Sequence, residues 1–145
     1  VDANLLTENI LKIIHVPSNI SVTKTNLPVI KGDKYRLQQL FQNLISNAIK
    51  YNDKDQGVIE IGAEDKASYW QFYIKDNGKG IDKSYFDKIF KTFIKLENNP
   101  DSTGIGLSIV KKIVELYGGK IWLESQVNVG TTFYFTLKKS PNGTT

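Results

Sequence analysis

Residues 37–51 read LQQLFQNLISNAIKY, and the reading of the whole chain turns on this stretch. Leu37, Leu40, Phe41, Leu44, Ile45, Ala48 and Ile49 recur at helical spacing, so one side of a helix running to Tyr51 is apolar and must find a core. Asp33 supplies the N-cap, and Asn52, Asp53 and Gly57 break the pattern. Asn43, Asn47 and Lys50 stand at i, i+4 and i+7, on one stripe beside the apolar face. Asparagine is a poor helix-interior residue because its amide competes for backbone bonds. Two of them one turn apart have two readings. They are surface or packing-edge residues, or their amide oxygens face a cleft and bind a hard cation such as magnesium, which takes few protein ligands and prefers oxygen. In the second case Lys50 meets anionic oxygens.

Upstream, Asp2 caps a short helix from Ala3 to Ile14 with Leu5, Leu6, Ile10, Leu11 and Ile14 in a stripe. Asn19 to Lys24 alternates as a strand does, and Pro28 and Gly32 punctuate the link to the second helix. Downstream, Val58–Glu64 and Tyr69–Asp76 read as two strands around a polar turn. A short helix is expected from Lys83 to about Phe90, then a long polar loop from Lys91 to Thr103. A third main helix runs from about Ile105 to Tyr117 and is closed by Gly118 and Gly119. Lys120–Ser125 and Thr131–Leu137 are the last strands. The expected fold is an α/β two-layer sandwich, a mixed and mostly antiparallel sheet with helices on one face. Residues 1–139 form one domain, and 140–145 a tail that should fray.

Two glycine-bearing segments add chemistry. Asp76-Asn77-Gly78-Lys79-Gly80 ends a strand. It is either a tight turn, Asn-Gly being a common turn pair, or a pocket floor in which the Asp76 carboxylate accepts from an exocyclic amine while Gly78 and Gly80 let backbone lie flat on a planar ring. Gly104-Ile105-Gly106-Leu107 opens a helix, where backbone N–H groups and the helix N-terminus favour a phosphate. The segment is neither a dinucleotide-binding fingerprint nor a P-loop, since it lacks the preceding strand of the first and the Gly-Lys-Ser/Thr of the second.

Taken in order, LQQLFQNLISNAIKY at 37–51, DNGKGI at 76–81, IFKTF at 89–93 and TGIGLSIVKKIVELYGG at 103–119 resemble the catalytic domains of sensor histidine kinases, with their N box, first glycine box, F box and second glycine box. The resemblance spans nearly the whole chain and implies the Bergerat ATP-binding fold, with ATP and magnesium as cofactors. It implies that Asn47 is the magnesium ligand, that Asn43 lies near the phosphates, that Lys50 contacts phosphate and that Tyr51 packs on the base or sugar; Asn43 and Lys50 are the catalytic pair. Asp76 reads the adenine amine. Phe90 and Phe93 anchor a loop over the nucleotide, Lys95 reaches from that loop, and Gly104 and Gly106 border the triphosphate. Gly78, Gly80, Ile81, Thr103, Ile105 and Leu107 complete the cofactor-binding set. Asn52, Lys91 and Ser102 depart from the family's usual threonine, acid and glycine. Gyrase, the heat-shock chaperone and the mismatch-repair ATPases share the fold but carry a water-activating glutamate where this chain has Asn43. That substitution favours transfer to another acceptor over hydrolysis.

The implied activity is transfer of the γ-phosphoryl group to a histidine of a separate dimerisation and phosphoacceptor domain, and from there to a response regulator. A protein serine kinase of the anti-sigma-factor type and a non-catalytic nucleotide-binding module share the fold and stand as alternatives. The isolated domain is expected to be monomeric, its parent homodimeric and the location cytoplasmic. A formal charge of +4 with lysines spread along 145 residues reads as a solvated surface, and no nucleic-acid-binding motif is present. No apolar run reaches the roughly twenty residues of a membrane helix, so no membrane insertion is expected. The chain has no cysteine, which excludes disulfides and thiolate metal sites. It has no methionine either, which suggests a piece of a longer protein. The single histidine, His15, is read as packing at the domain edge near a helix C-terminus, and not as the acceptor: Val16 follows it where the family's acceptor has an acid.

Overall fold

Two aspartates open the first two helices in the same way. In the computed structural model, which describes residues 1–90 and 105–139, Asp2 caps helix α1 (Ala3–Ile13) by accepting from the Asn4 N–H at 2.9 Å. Asp33 caps helix α2 (Lys34–Lys50) by accepting from Tyr35 and Arg36 at 2.8 and 3.3 Å. Each bond satisfies a backbone donor that the first turn leaves without a helical partner. Helix α3 (Ile105–Leu116) ends on Gly118, whose φ of +69° is the left-handed conformation that releases a helix. Gly119 donates back to the Val114 carbonyl at 2.9 Å. Tyr117, buried at the end of α3, accepts the Asp33 N–H on its hydroxyl at 2.8 Å, so the end of α3 is fastened to the cap of α2.

The strands are β1 (Ile20–Lys24), β2 (Gly57–Asp65), β3 (Tyr69–Asp76), β4 (Ile121–Gln126) and β5 (Gly130–Lys138), in the spatial order β1-β2-β3-β5-β4. Only β1 and β2 are parallel, joined through α2 as a parallel pair requires; the other pairings are antiparallel. Burial alternates along β5, with Thr131, Phe133, Phe135 and Leu137 inward. Ile59, Ile61, Phe72 and Ile74 face the same way from β2 and β3. Onto them α2 lays Leu37, Leu40, Phe41, Leu44 and Ile45. Phe41 of α2 meets Phe72 and Phe135 edge-on at 5.3 and 5.4 Å, and these two stack at 5.1 Å. All three rings are fully buried, and truncating any one to alanine costs about 3–5 kcal/mol. The mixed sheet with helices on one face is the expected sandwich.

Two local expectations are corrected. From Lys83 the chain forms a single 3-10 turn, Lys83–Tyr85, and not a helix reaching Phe90. Asp82 caps it through Ser84, and the next bonds are mainly of the short i to i−3 kind, which tighten the chain enough to bury Ile89. Helix α1 ends at Ile13, so His15 lies beyond it; the imidazole is exposed instead of packed at the domain edge. The expected loop from Lys91 to Thr103 and the tail 140–145 fall outside the described residues.

Candidate functional site

The strand that carries Asp76 alternates inward through Phe72 and Ile74, and Asp76 is the next residue in that phase. It stands at the strand's end, where the apolar layer gives way to a cavity of about 270 Å³ lined by Asn47, Ala48, Tyr51, Asp76, Lys79, Gly80, Ile81, Tyr85, Leu107, Thr131 and Phe133. Oδ1 of Asp76 accepts the Gly78 N–H at 2.8 Å and the Thr131 N–H at 3.3 Å. These bonds fix the plane of the carboxylate while Oδ2 takes part in neither. Burial pushes the Asp76 carboxyl up to about 6, against the opposing pull of those two N–H groups. The result is a desolvated acid at the cavity wall whose two backbone bonds both fall on one oxygen.

The glycines nearby answer first to the protein. Gly80 has a φ of +75°, and a side chain there would collide with the Gln126 carbonyl. A Cβ on Gly78 would come within 2.8 Å of the Tyr51 carbonyl and 2.9 Å of Asp76 Oδ1. Their freedom is spent bringing the 76–81 turn against α2 and the β4–β5 hairpin, a reason that the planar-ring reading did not include. The Asn77 side chain joins the same assembly. It donates to the Gln56 carbonyl at 3.1 Å, and its oxygen accepts from the Val58 N–H at 2.8 Å and from Asn52 Nδ2 at 2.9 Å. Asn52 thus ties the end of α2 to the end of β3.

The stripe on α2 divides. Asn47 lines the cavity with Ala48 and Tyr51. Asn43, one turn earlier, donates to the Gly106 carbonyl at 3.3 Å and so links α2 to the first turn of α3. Lys50 is exposed and is not among the lining residues. Tyr51 has the Lys79 ammonium 5.3 Å from its ring centroid, a cation–π contact at the cavity wall. Phe90 packs edge-on against Phe133 at 6.2 Å. Leu107 lines the cavity from α3, and among the described residues a Cβ on Gly106 would meet the Asn43 side chain at 3.9 Å. Ile105 is the first residue of α3. Phe93, Lys95, Thr103 and Gly104 lie outside the described residues.

Thr131, Lys79, Tyr85 and Phe133 were not singled out from the sequence. Thr131 did carry a signal, as the one polar residue in the inward phase of β5. Among the described residues no cluster of three His, Asp or Glu side chains is placed to hold a metal. Asn47 offers a single neutral amide oxygen. That suits a hard ion that draws most of its shell from phosphates and water, and not one held in a protein cage.

Compared with known proteins, residues 32–141 match the family model described as histidine kinase-, DNA gyrase B- and HSP90-like ATPase. Cyanobacterial phytochrome A of Nostoc sp. is 45% identical over 119 residues, which are 81% of this chain and 16% of the relative. The chain therefore spans about a sixth of that protein's length. Among solved structures, the catalytic domain of histidine kinase ThkA superposes with a TM-score of 0.73 at 31% identity, covering 96% of this chain and 88% of that one. The mycobacterial sensor histidine kinase MprB reaches 0.81 at 24% identity over 95% and 96% of the two chains, a likeness of fold.

Proposed function

Because the chain belongs to the histidine kinase-, DNA gyrase B- and HSP90-like ATPase family, we propose that it binds Mg-ATP and transfers the γ-phosphoryl group to a histidine on a separate dimerisation and phosphoacceptor domain. The observation that carries this reading is Asp76: a buried carboxylate, held by two backbone N–H groups, at the wall of the cavity beneath α2. In that position it accepts from the adenine amine. Asn47 is the residue that would hold magnesium, through its amide oxygen. When bound, the ion neutralises phosphate charge and orients the transferred group. Lys50, at the exposed end of α2, is assigned to phosphate.

Asn43 has no basic oxygen with which to activate water, so the acceptor is a side chain of another domain and not solvent. Its bond to Gly106 gives it a second task, holding the start of α3 against α2. The chain's part in the reaction is to position and to neutralise, with no covalent intermediate of its own. From the acceptor histidine the phosphoryl group passes to an aspartate of a response regulator. We assign the domain to the cytoplasmic part of its parent, as a monomer in isolation and one arm of a homodimer in the parent.

The test is incubation with γ-labelled ATP and the separately supplied acceptor domain. Acid-labile label on that domain, dependent on its histidine, is the expected result. Acid-stable label on a serine of a partner would replace this reading with that of a serine kinase. Release of free phosphate at the same rate with or without acceptor would make the domain a hydrolase.

A further inference from the structure

The helices cover one face of the sheet, where Phe72, Phe135 and Leu137 join the core. On the opposite face Gly62, Tyr73, Tyr134 and Trp122 form one cross-strand row over β2, β3, β5 and β4. A Cβ on Gly62 would collide with the Tyr73 ring, so that ring lies flat on the backbone of β2. Trp122 stacks on Tyr134, with nearly parallel rings and centroids 5.4 Å apart. A Cβ on Gly118 would meet the Lys138 stem at 2.9 Å, so this stem too lies against bare backbone. Packing has already met part of the side-chain ordering that binding costs. Beside the start of β3, at the end opposite Asp76, this face holds a groove of about 710 Å³ whose lining includes Tyr69, Lys120, Trp122, Thr136, Lys138 and Lys139. Its charges are unevenly committed. Lys139 is bonded to Asp65 at 2.7 Å and lies over the Trp70 ring at 4.3 Å. Glu64 is paired with Lys66 at 3.0 Å. Lys120 and Lys138 are exposed, and neither forms an ion pair among the described residues.

We propose that this groove docks a short acidic segment of a partner protein, with carboxylates on Lys120 and Lys138 and an apolar side chain on the Trp122 ring. The acids beside the groove are already paired and two of its cations are not, so the charge it offers is complementary to an anionic partner and steers its approach. The Trp122–Tyr134 stack supplies a rigid aromatic anchor of the kind that carries most of the energy of a contact. A nucleic-acid strand also combines anions with rings. Further along this face, however, Glu60 and Glu124 stand exposed, and they repel a phosphate backbone that continues across it. A segment with a few carboxylates ends before it reaches them. None of the residues assigned to the segment lines the Asp76 cavity, so the inference stands apart from the nucleotide reading.

The test is a magnetic-resonance titration of the isotope-labelled domain with the peptide Asp-Glu-Phe-Glu-Asp. Saturable shifts are expected at the Trp122 indole N–H and at the backbone amides of Lys120 and Lys138, with a midpoint below about 1 mM, the weak end of specific affinities. The double variant Lys120→Glu with Lys138→Glu should weaken binding about tenfold, since it turns two attractions into repulsions. Trp122→Ala should cost about tenfold as well, by removing the anchor. Both variants should bind ATP as the wild type does, which also shows that they fold. If either does not fold, the wild type is titrated at rising salt, where screening should weaken the peptide steadily. Absence of shifts in the groove overturns the proposal, as do shifts confined to the residues of the Asp76 cavity. So does equal binding of the peptide Lys-Lys-Phe-Lys-Lys. Tighter binding of an oligothymidylate at the same residues overturns it in favour of a nucleic-acid surface.

Discussion

The backbone N–H of Gly78 donates to Oδ1 of Asp76 at 2.8 Å, two residues along the chain. This closes the turn after β3 on the carboxylate itself. The bond and its weaker companion from Thr131 both fall on this one oxygen, and Oδ2 takes part in neither.

Asp76→Asn keeps an oxygen for the Gly78 and Thr131 N–H groups but replaces the charged acceptor with an amide. A hydrogen bond to a charged group contributes roughly 1.5–3 kcal/mol, so ATP and ADP should bind about ten- to a hundredfold more weakly. Calorimetric titration reads this directly. Undiminished binding by the variant removes Asp76 from base recognition.

The same substitution should make the empty domain more stable at neutral pH. Burial raises the Asp76 carboxyl from 3.8 to about 6, so the folded chain holds this proton more tightly than the unfolded chain does. The group's contribution is most favourable below about pH 3.8, is lost as pH rises through 6 and is level above that. At 1.36 kcal/mol per unit the loss is about 3 kcal/mol. Without nucleotide, Asp76→Asn should therefore melt higher than wild type at pH 7, and the two should converge near pH 4. Melting temperatures that differ by the same amount at both pH values would contradict the buried-acid account.

Asn47→Ala should weaken Mg-ATP far more than nucleotide titrated with a chelator present, because the amide oxygen acts through the ion. Manganese should substitute for magnesium, as both are oxygen-preferring ions. An equal loss with and without metal would make Asn47 a wall of the cavity and nothing more.

The exposed His15 follows the end of α1, well apart in the chain from the residues that line the cavity. The isolated domain should therefore bind ATP without labelling itself, and His15→Ala should leave transfer to a supplied acceptor domain within about twofold, as for a residue without a transition-state contact. Acid-labile label on the lone domain that disappears in His15→Ala would identify His15 as an acceptor after all.

The sequence by itself determined the periodic elements and the chemistry available to them. The apolar repeat of α2 and the alternation of β5 depend on spacing along the chain, and spacing survives into the fold because neighbours set local geometry. Asp33 as a cap and Gly118 as a stop are likewise local. Tertiary structure decided which of the marked residues meet. Asn43, Asn47 and Lys50 share one helical stripe, yet of the three only Asn47 lines the cavity, because Asn43 is bonded to the first turn of α3 and Lys50 sits at the exposed end of α2. The glycines of the 76–81 turn are needed for packing on Tyr51 and Gln126, which are remote in sequence. Thr131 reaches Asp76 only through strand register, and register is a long-range pairing that no window of sequence contains.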